Sequence, residues 1–385
     1  MPNTKMPTEV KMKAHLKSKN SSWCFKKKTK NLYFDNPLGY VFQNKKGTTL
    51  VFRGKKTFFK NMNLFEVKKK KLKKFFLVGY LSYEFDMPKI STDYQAIFNI
   101  YSDTRTKLKK PKKNFFQKSY LEKTTTDTKF IKSVETMKKL ISRGDIYQIN
   151  LTREFTFNSH KNSYELFLDY FKCQPVEYGS YIEFHDHTIL SGSMELFLQK
   201  YKKKIITKPI KGTSKNSIAD LNNLKTDTKE KAENLMIVDL MRNDLSTVCK
   251  PGSVAVDSLF KIKKYSTLTQ LESTISGNLR DNVSLYEIFK NTMPPGSVTG
   301  TPKKKAEEII SQVEKHKRGP YCGAVGYIDP KDNFCFSVGI RLSKINNQRK
   351  SFYTGAGIVW DSKPKKENLE THLKAKAFQN TLSNL

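Results

Sequence analysis

Cysteine is sparse in this chain, with five in 385 residues: Cys24, Cys173, Cys249, Cys322 and Cys335. The number is odd and the spacing holds no CxxC pair and no zinc-like pattern, so a disulfide scaffold is excluded and a reducing compartment is expected. No apolar run approaches the length needed to cross a bilayer, and no signal-like apolar stretch follows Met1–Lys5. The expectation is a cytoplasmic protein without membrane attachment. There is no GxGxxG and no regular strand–helix–strand repeat, which argues against a doubly wound nucleotide-binding sheet. Gly296–Lys303 resembles a phosphate loop only at a glance; it lacks the Walker spacing, and no ATP site is expected.

What the chain has in excess is lysine. Lys and Arg total 71 against 36 Asp and Glu, a formal charge of +35, which would ordinarily point to nucleic acid. Arginine, the better reader of bases and phosphates, is scarce, and lysine is spread along the whole length. Charge laid out this way reads as solvated surface. It predicts loose, salt-sensitive polyanion binding and no specific nucleic-acid partner. A basic polyanion-binding protein is the alternative from a different functional class.

Residues 1–118 form a lysine-studded, β-rich variable region with strand-like runs at Thr49–Phe52 and Phe75–Tyr83. We expect it to be part of one fold with a catalytic region, 119–385. The charged run Thr106–Lys113 reads as a surface linker. Beyond it, Phe130, Val134, Met137 and Leu140 recur at helical intervals within Thr125–Arg143. Helices are also expected over Lys229–Val248 and Lys366–Leu382, and strands over Tyr181–Phe184 and Phe334–Ile340. These elements give mixed α and β.

Three groups of residues carry chemistry. Lys211 stands in Lys208–Thr213 (KPIKGT), after Pro209, which fixes its own backbone angle, and before Gly212, which lets a backbone come close to a ligand. This setting suits a nucleophile, although an ordinary turn lysine fits the hexapeptide too. Glu195 lies between Met194 and Leu196, so burial would raise its pKa and keep it protonated near neutrality. Glu230 and Glu233 share one helix face, as do Glu367, Glu370 and Lys374 on the last helix, while Leu369, Leu373 and Ala377 on its other side are expected to pack. Either carboxylate pair alone fits a solvated face. Converging, they would suit Mg²⁺, a hard cation that prefers oxygen ligands.

Several segments, in order, resemble the chorismate-utilising enzymes, and within them the aminodeoxychorismate branch. They are Gly144–Leu151 (GDIYQINL), Ser193–Phe197 (SMELF), Pro209–Thr213 (PIKGT), Glu233–Asp244 (ENLMIVDLMRND), Pro295–Lys303 (PGSVTGTPK), Gly323–Tyr327 (GAVGY) and Tyr353–Val359 (YTGAGIV), followed by Asp361, Ser362, Glu367 and Glu370. The resemblance implies an α+β fold of two large antiparallel sheets packed face to face with flanking helices. It implies that Lys211 attacks the ring of chorismate and that Glu195 protonates the departing hydroxyl. Glu233 and Glu370 would ligate Mg²⁺ directly, with Glu230 and Glu367 holding its waters. Gln148, Thr213, Thr301, Tyr327, Arg341, Gly355, Ala356, Gly357 and Lys374 would bind substrate.

The resemblance also separates the branches. Enzymes that add water to chorismate carry a lysine where this chain has Gln148, and the anthranilate branch generally has a small residue in place of Lys211. The expected product is 4-amino-4-deoxychorismate, on the way to 4-aminobenzoate and folate, with anthranilate chemistry as the alternative. Gln270 stands where the family often has histidine. No cysteine sits in a Gly-x-Cys-x-Gly turn, so ammonia is expected from a separate glutamine amidotransferase small subunit in a heterodimer.

Overall fold

A computed structural model describes residues 26–27, 30–87, 92–104, 120–123, 126–159, 161–214, 226–264, 269–314, 316–347 and 349–382. The expected linker Thr106–Lys113 and Cys24 lie outside them. The fold is α+β. Seven α-helices occur among the described residues: α1 (Leu64–Lys71), α2 (Asp127–Ser142), α3 (Ser163–Cys173), α4 (Thr228–Ser246), α5 (Leu285–Thr292), α6 (Lys303–Val313) and α7 (Pro364–Leu382). In α2 the Thr126 hydroxyl accepts from the Lys129 amide, and Phe130, Val134 and Met137 face the core, as their spacing requires.

The strands form two large antiparallel sheets. The larger runs Ile210–Ser214, Thr269–Asn278, Lys204–Lys208, Leu196–Tyr201, Phe334–Val338, Ala324–Ile328, Phe76–Leu81, Ala96–Tyr101, Gly39–Asn44, Gly47–Phe52 and Lys55–Phe59, with Ala255–Lys264 also paired to Thr269–Asn278. Strands within residues 39–101 therefore extend the same sheet as strands from the later part of the chain. The second sheet runs Tyr178–Glu183, Thr188–Ser193, Leu342–Ile345, Lys350–Ile358, Gln148–Asn158 and Gly300–Thr301, with Tyr120–Lys123 also on Gln148–Asn158. Phe76–Leu81 and Ala96–Tyr101 read as continuous apolar runs because both their faces are covered.

The sheets meet through side chains of these central strands. The Tyr80 ring stands edge-on to Phe184 at 5.5 Å, and its hydroxyl is hydrogen-bonded to His187 Nε2 at 3.0 Å. Asn99 donates to the Glu183 carbonyl at 2.8 Å. On the smaller sheet's other side α7 packs on Lys350–Ile358, flanked by α2 and α3, while α4 lies against Ile210–Ser214 and Thr269–Asn278.

The orientation of α7 corrects the sequence reading. Leu369 and Leu373 are 60% and 68% exposed, and the helix instead buries Glu367, Asn368, Thr371, Ala375, Phe378 and Leu382. Two long-range contacts set this face. Phe378 stacks on Phe352 at 4.2 Å, and the fully buried Arg153 donates to Asn368 Oδ1 at 2.8 Å and to Thr371 Oγ1 at 3.2 Å. Arg153 also pairs with Asp127 at 2.9 Å, tying α2 and α7 to one strand. Arg153→Met should cost roughly 3 kcal/mol, because it strands buried polar partners; denaturant unfolding measures it, and a loss below about 1 kcal/mol would show that the clamp carries little.

Candidate active site

Pro209 interrupts one edge of the larger sheet. Lys204–Lys208 and Ile210–Ser214 pair along the same side of Thr269–Asn278, and the Pro209 carbonyl between them accepts from the Ser273 amide at 3.1 Å. The register shifts between Lys211 and Thr213, where Gly212 takes φ +68°. Such a bulge re-aims a side chain. Here Lys211 lines a cavity of about 620 Å³ between the sheets and α7.

The same cavity gathers Glu195, Glu230, Glu233, Arg341, Gly355, Gly357, Glu367, Glu370 and Lys374. Glu195 is 6% exposed. Burial pushes its carboxyl up to about 7, against the downward pull of Ser297, the Lys211 charge and the Ile210 backbone. Lys211 also lowers Glu370, so one lysine side chain is coupled electrostatically to both carboxyl groups.

Glu370 is held below its usual range despite burial, chiefly by Lys374, whose Nζ lies 2.5 Å from its Oε1. Lys374 also donates to the Gly355 carbonyl at 2.8 Å, and its own carbonyl accepts from Arg341 at 3.1 Å. On α4, Asp227 caps the helix by accepting from the Glu230 amide at 3.0 Å. Asn234 accepts from Ser273 Oγ at 2.6 Å and fixes the helix on the strand opposite Lys211.

Gly355 and Gly357 have a steric task. A Cβ on Gly357 would lie 3.2 Å from Gln148 Nε2 and 3.6 Å from Lys211 Nζ. One on Gly355 would lie 2.7 Å from the Leu151 carbonyl oxygen and 3.1 Å from the Tyr321 hydroxyl. Gln148 is therefore beside Lys211 though it forms no part of the cavity lining. Ala356, between the two glycines, falls on the opposite face of the strand.

Other expected residues are placed apart from this group. The Tyr327 ring packs 6.3 Å from Phe34, away from the cavity. The residue that lines the wall is Tyr321, stacked on Tyr353 at 5.3 Å. Thr301 pairs through its backbone with Gln148 but does not line the cavity. Thr213 pairs through its backbone with Gln270, and its side chain lies outside the described residues. Asn150, Ser297 and Thr354 also line the cavity without having been assigned a role in the sequence. Tyr321 had a signal of its own in Gly319–Gly323, a glycine-bounded turn (GPYCG).

Among the described residues no three acidic, imidazole or thiol side chains stand together as a ready-made metal cluster. The four glutamates nonetheless line one cavity and offer only oxygen donors, a set that suits Mg²⁺ over softer ions. No helix among the described residues is long and apolar enough to cross a membrane.

The profile of the chorismate binding enzyme family matches residues 57–380. Anthranilate synthase component 1 of Saccharolobus solfataricus is 33% identical over 273 residues, covering 69% of this chain and 65% of that protein. Aminodeoxychorismate synthase component 1 of Bacillus subtilis is 35% identical over 263 residues, covering 67% of this chain and 56% of that protein. The chain thus matches somewhat more than half the length of these curated relatives. The crystal structure of anthranilate synthase component I from Streptococcus pneumoniae TIGR4 superposes with a TM-score of 0.77 at 23% identity, covering 95% of this chain and 94% of that one.

Proposed function

The chain belongs to the chorismate binding enzyme family, and on that premise we propose that it aminates chorismate to 4-amino-4-deoxychorismate. The observation that carries this reading is Lys211, an amine that lines the cavity beside a carboxyl poised near neutrality. Lys211 in its neutral amine form bonds to C2 of the ring, both ring double bonds shift by one position, and the C4–O bond breaks. Glu195 supplies the proton that lets the hydroxyl leave as water. Ammonia then bonds to C4, both double bonds shift back, and the C2–N bond breaks, the departing lysine taking up a proton as the added nitrogen gives one up.

Glu233 and Glu370 would hold Mg²⁺, with Glu230 and Glu367 reaching it through water, and the ion would supply positive charge opposite a substrate carboxylate. Arg341 and Tyr321 stand in the same wall as partners for the second carboxylate, the guanidinium through two parallel hydrogen bonds. Ammonia would come from a glutamine amidotransferase subunit. The cytoplasm suits the four cysteines of the described residues, which are all unpaired.

Anthranilate formation is the second reading, favoured by anthranilate synthase relatives at 32% to 37% identity. Incubation with chorismate, Mg²⁺ and ammonium, followed by mass spectrometry, separates the two. An aminated product that keeps its enolpyruvyl group supports our reading, whereas anthranilate with free pyruvate overturns it.

Two further outcomes are expected in the same assay. Chelation with EDTA should abolish turnover and added Mg²⁺ should restore it; undiminished turnover would remove the four glutamates from metal binding. Gly357→Ala should lower turnover about tenfold or more by crowding Lys211 and Gln148. Thermal melting run alongside tells crowding from unfolding, and unaltered turnover would show that the clearance does not matter.

A further inference from the structure

Arg341, whose guanidinium is the partner offered to a substrate carboxylate, stands on a backbone unusual for an arginine. Its φ is +51°, in the left-handed region that a residue with a Cβ occupies only where its surroundings hold it there. Two donors converge on its carbonyl. The Gly192 amide, from the strand Thr188–Ser193, donates at 3.0 Å, and the Tyr170 hydroxyl, from α3, donates at 3.2 Å. The Tyr170 ring is itself buried and set edge-on to Phe352 and Phe378, at 6.0 and 5.3 Å, which fixes where its hydroxyl can be. Gly192 makes room for that ring: a Cβ there would lie 2.5 Å from the Tyr170 hydroxyl oxygen and 2.9 Å from the ring carbons Cε1 and Cζ.

We propose that Tyr170 is a positioning residue for substrate binding, acting through Arg341. Arg341 lines the cavity and Tyr170 does not. The inference rests on the reading of Arg341 as a carboxylate partner and holds for amination at either ring position. A pair of parallel hydrogen bonds between guanidinium and carboxylate needs the fork held in one direction, and that direction starts from the torsions of the arginine's own Cα. The far end of the residue is tied to α7, where one guanidinium nitrogen, Nη1, donates to the Lys374 carbonyl at 3.1 Å. The near end is tied through the carbonyl shared by Gly192 and Tyr170. Without the Tyr170 hydroxyl the hold on that carbonyl is halved, the backbone is free to relax out of the left-handed region, and the fork turns away from the carboxylate. A bond that merely fastened α3 to the sheet would add stability and leave substrate affinity alone.

The test uses the full chain with Mg²⁺, chorismate being titrated at saturating ammonium and constant pH. Tyr170→Phe removes one oxygen atom and keeps the ring, and it should raise the KM for chorismate about fivefold or more while kcat changes less than about twofold. Gly192→Ala displaces the same hydroxyl from the other side and should give the same split, and it serves alone where the phenylalanine variant does not fold. A double-mutant cycle with Arg341→Met separates positioning from general loosening. It is read in kcat/KM for chorismate, which initial rates give even where saturation is out of reach. In the Arg341→Met chain, adding Tyr170→Phe should lower kcat/KM less than about twofold, because the guanidinium it positions is already gone. An unchanged chorismate KM in folded Tyr170→Phe would mean that the hydroxyl only fastens α3. An equal loss with and without the Arg341 guanidinium would mean that Tyr170 acts independently of it. Either result overturns the proposal while wild-type turnover stands, whereas a wild type that converts chorismate to neither product overturns the functional reading and this proposal together.

Discussion

Lys211→Ala should abolish amination of chorismate, lowering turnover roughly a thousandfold or more, equivalent to about 4 kcal/mol of transition-state stabilisation. The size follows from the proposed role. Without the amine there is no covalent intermediate, and ammonia would have to displace a hydroxyl unaided. Lys211→Arg distinguishes this role from a purely electrostatic one. A guanidinium keeps the positive charge near Glu195 and Glu370 but cannot act as a nucleophile. The arginine variant should therefore be as inactive as the alanine variant. Intact-protein mass spectrometry supplies an independent readout: with chorismate and no ammonia, the wild type should gain the mass of chorismate less one water, and neither variant should. Normal turnover by Lys211→Ala would end the covalent proposal, and activity restored by arginine would reduce Lys211 to a fixed charge.

How far the sequence revealed this arrangement depends on the range of the interaction. The buried stripe of α2 was legible because Phe130, Val134 and Met137 recur with the helix period, and the period is local. The same logic misread α7. There the apolar Leu369 and Leu373 stay exposed, while Glu367, Asn368 and Thr371 are buried. Arg153, 215 residues before Asn368, supplies the bonds that make a polar face burial-competent, and nothing in the helix itself announces that partner.

Tyrosines 321 and 327 show a second limit. They are six residues apart in one segment, one at the end of a turn and one within the strand Ala324–Ile328. Only the packing, with Phe34 beside Tyr327 and Tyr353 beside Tyr321, shows which ring reaches the cavity. The meeting of Gln148, Lys211 and Gly357 is likewise a product of two sheets closing on each other. By contrast, the setting of Glu195 between two apolar residues was local, and from it a raised carboxyl could be reasoned directly.

Glu195→Gln should act on both catalysis and stability, with a pH dependence that identifies the residue. In the folded protein the carboxyl is pushed from 4.5 up to about 7 by burial. Between those values the folded chain retains a proton that the unfolded chain has released. Its contribution is therefore fully present below about pH 4.5, declines as pH rises, and is gone above about pH 7, a span of roughly 3 kcal/mol. Glutamine cannot ionise, so the stability of Glu195→Gln relative to wild type should grow by roughly that amount between pH 5 and pH 8. Denaturant unfolding across that range measures it, and a constant difference would mean that Glu195 does not hold a proton near neutrality. Catalysis should move the other way. Wild-type turnover should fall as pH rises through about 7, where the acid form of Glu195 is lost, provided that later steps are not limiting. The glutamine variant should lose a factor of roughly 10² to 10⁴ and lack that descending limb, because it has no proton to give to the departing hydroxyl. Retained activity with the limb intact would assign the acid to another group in the cavity.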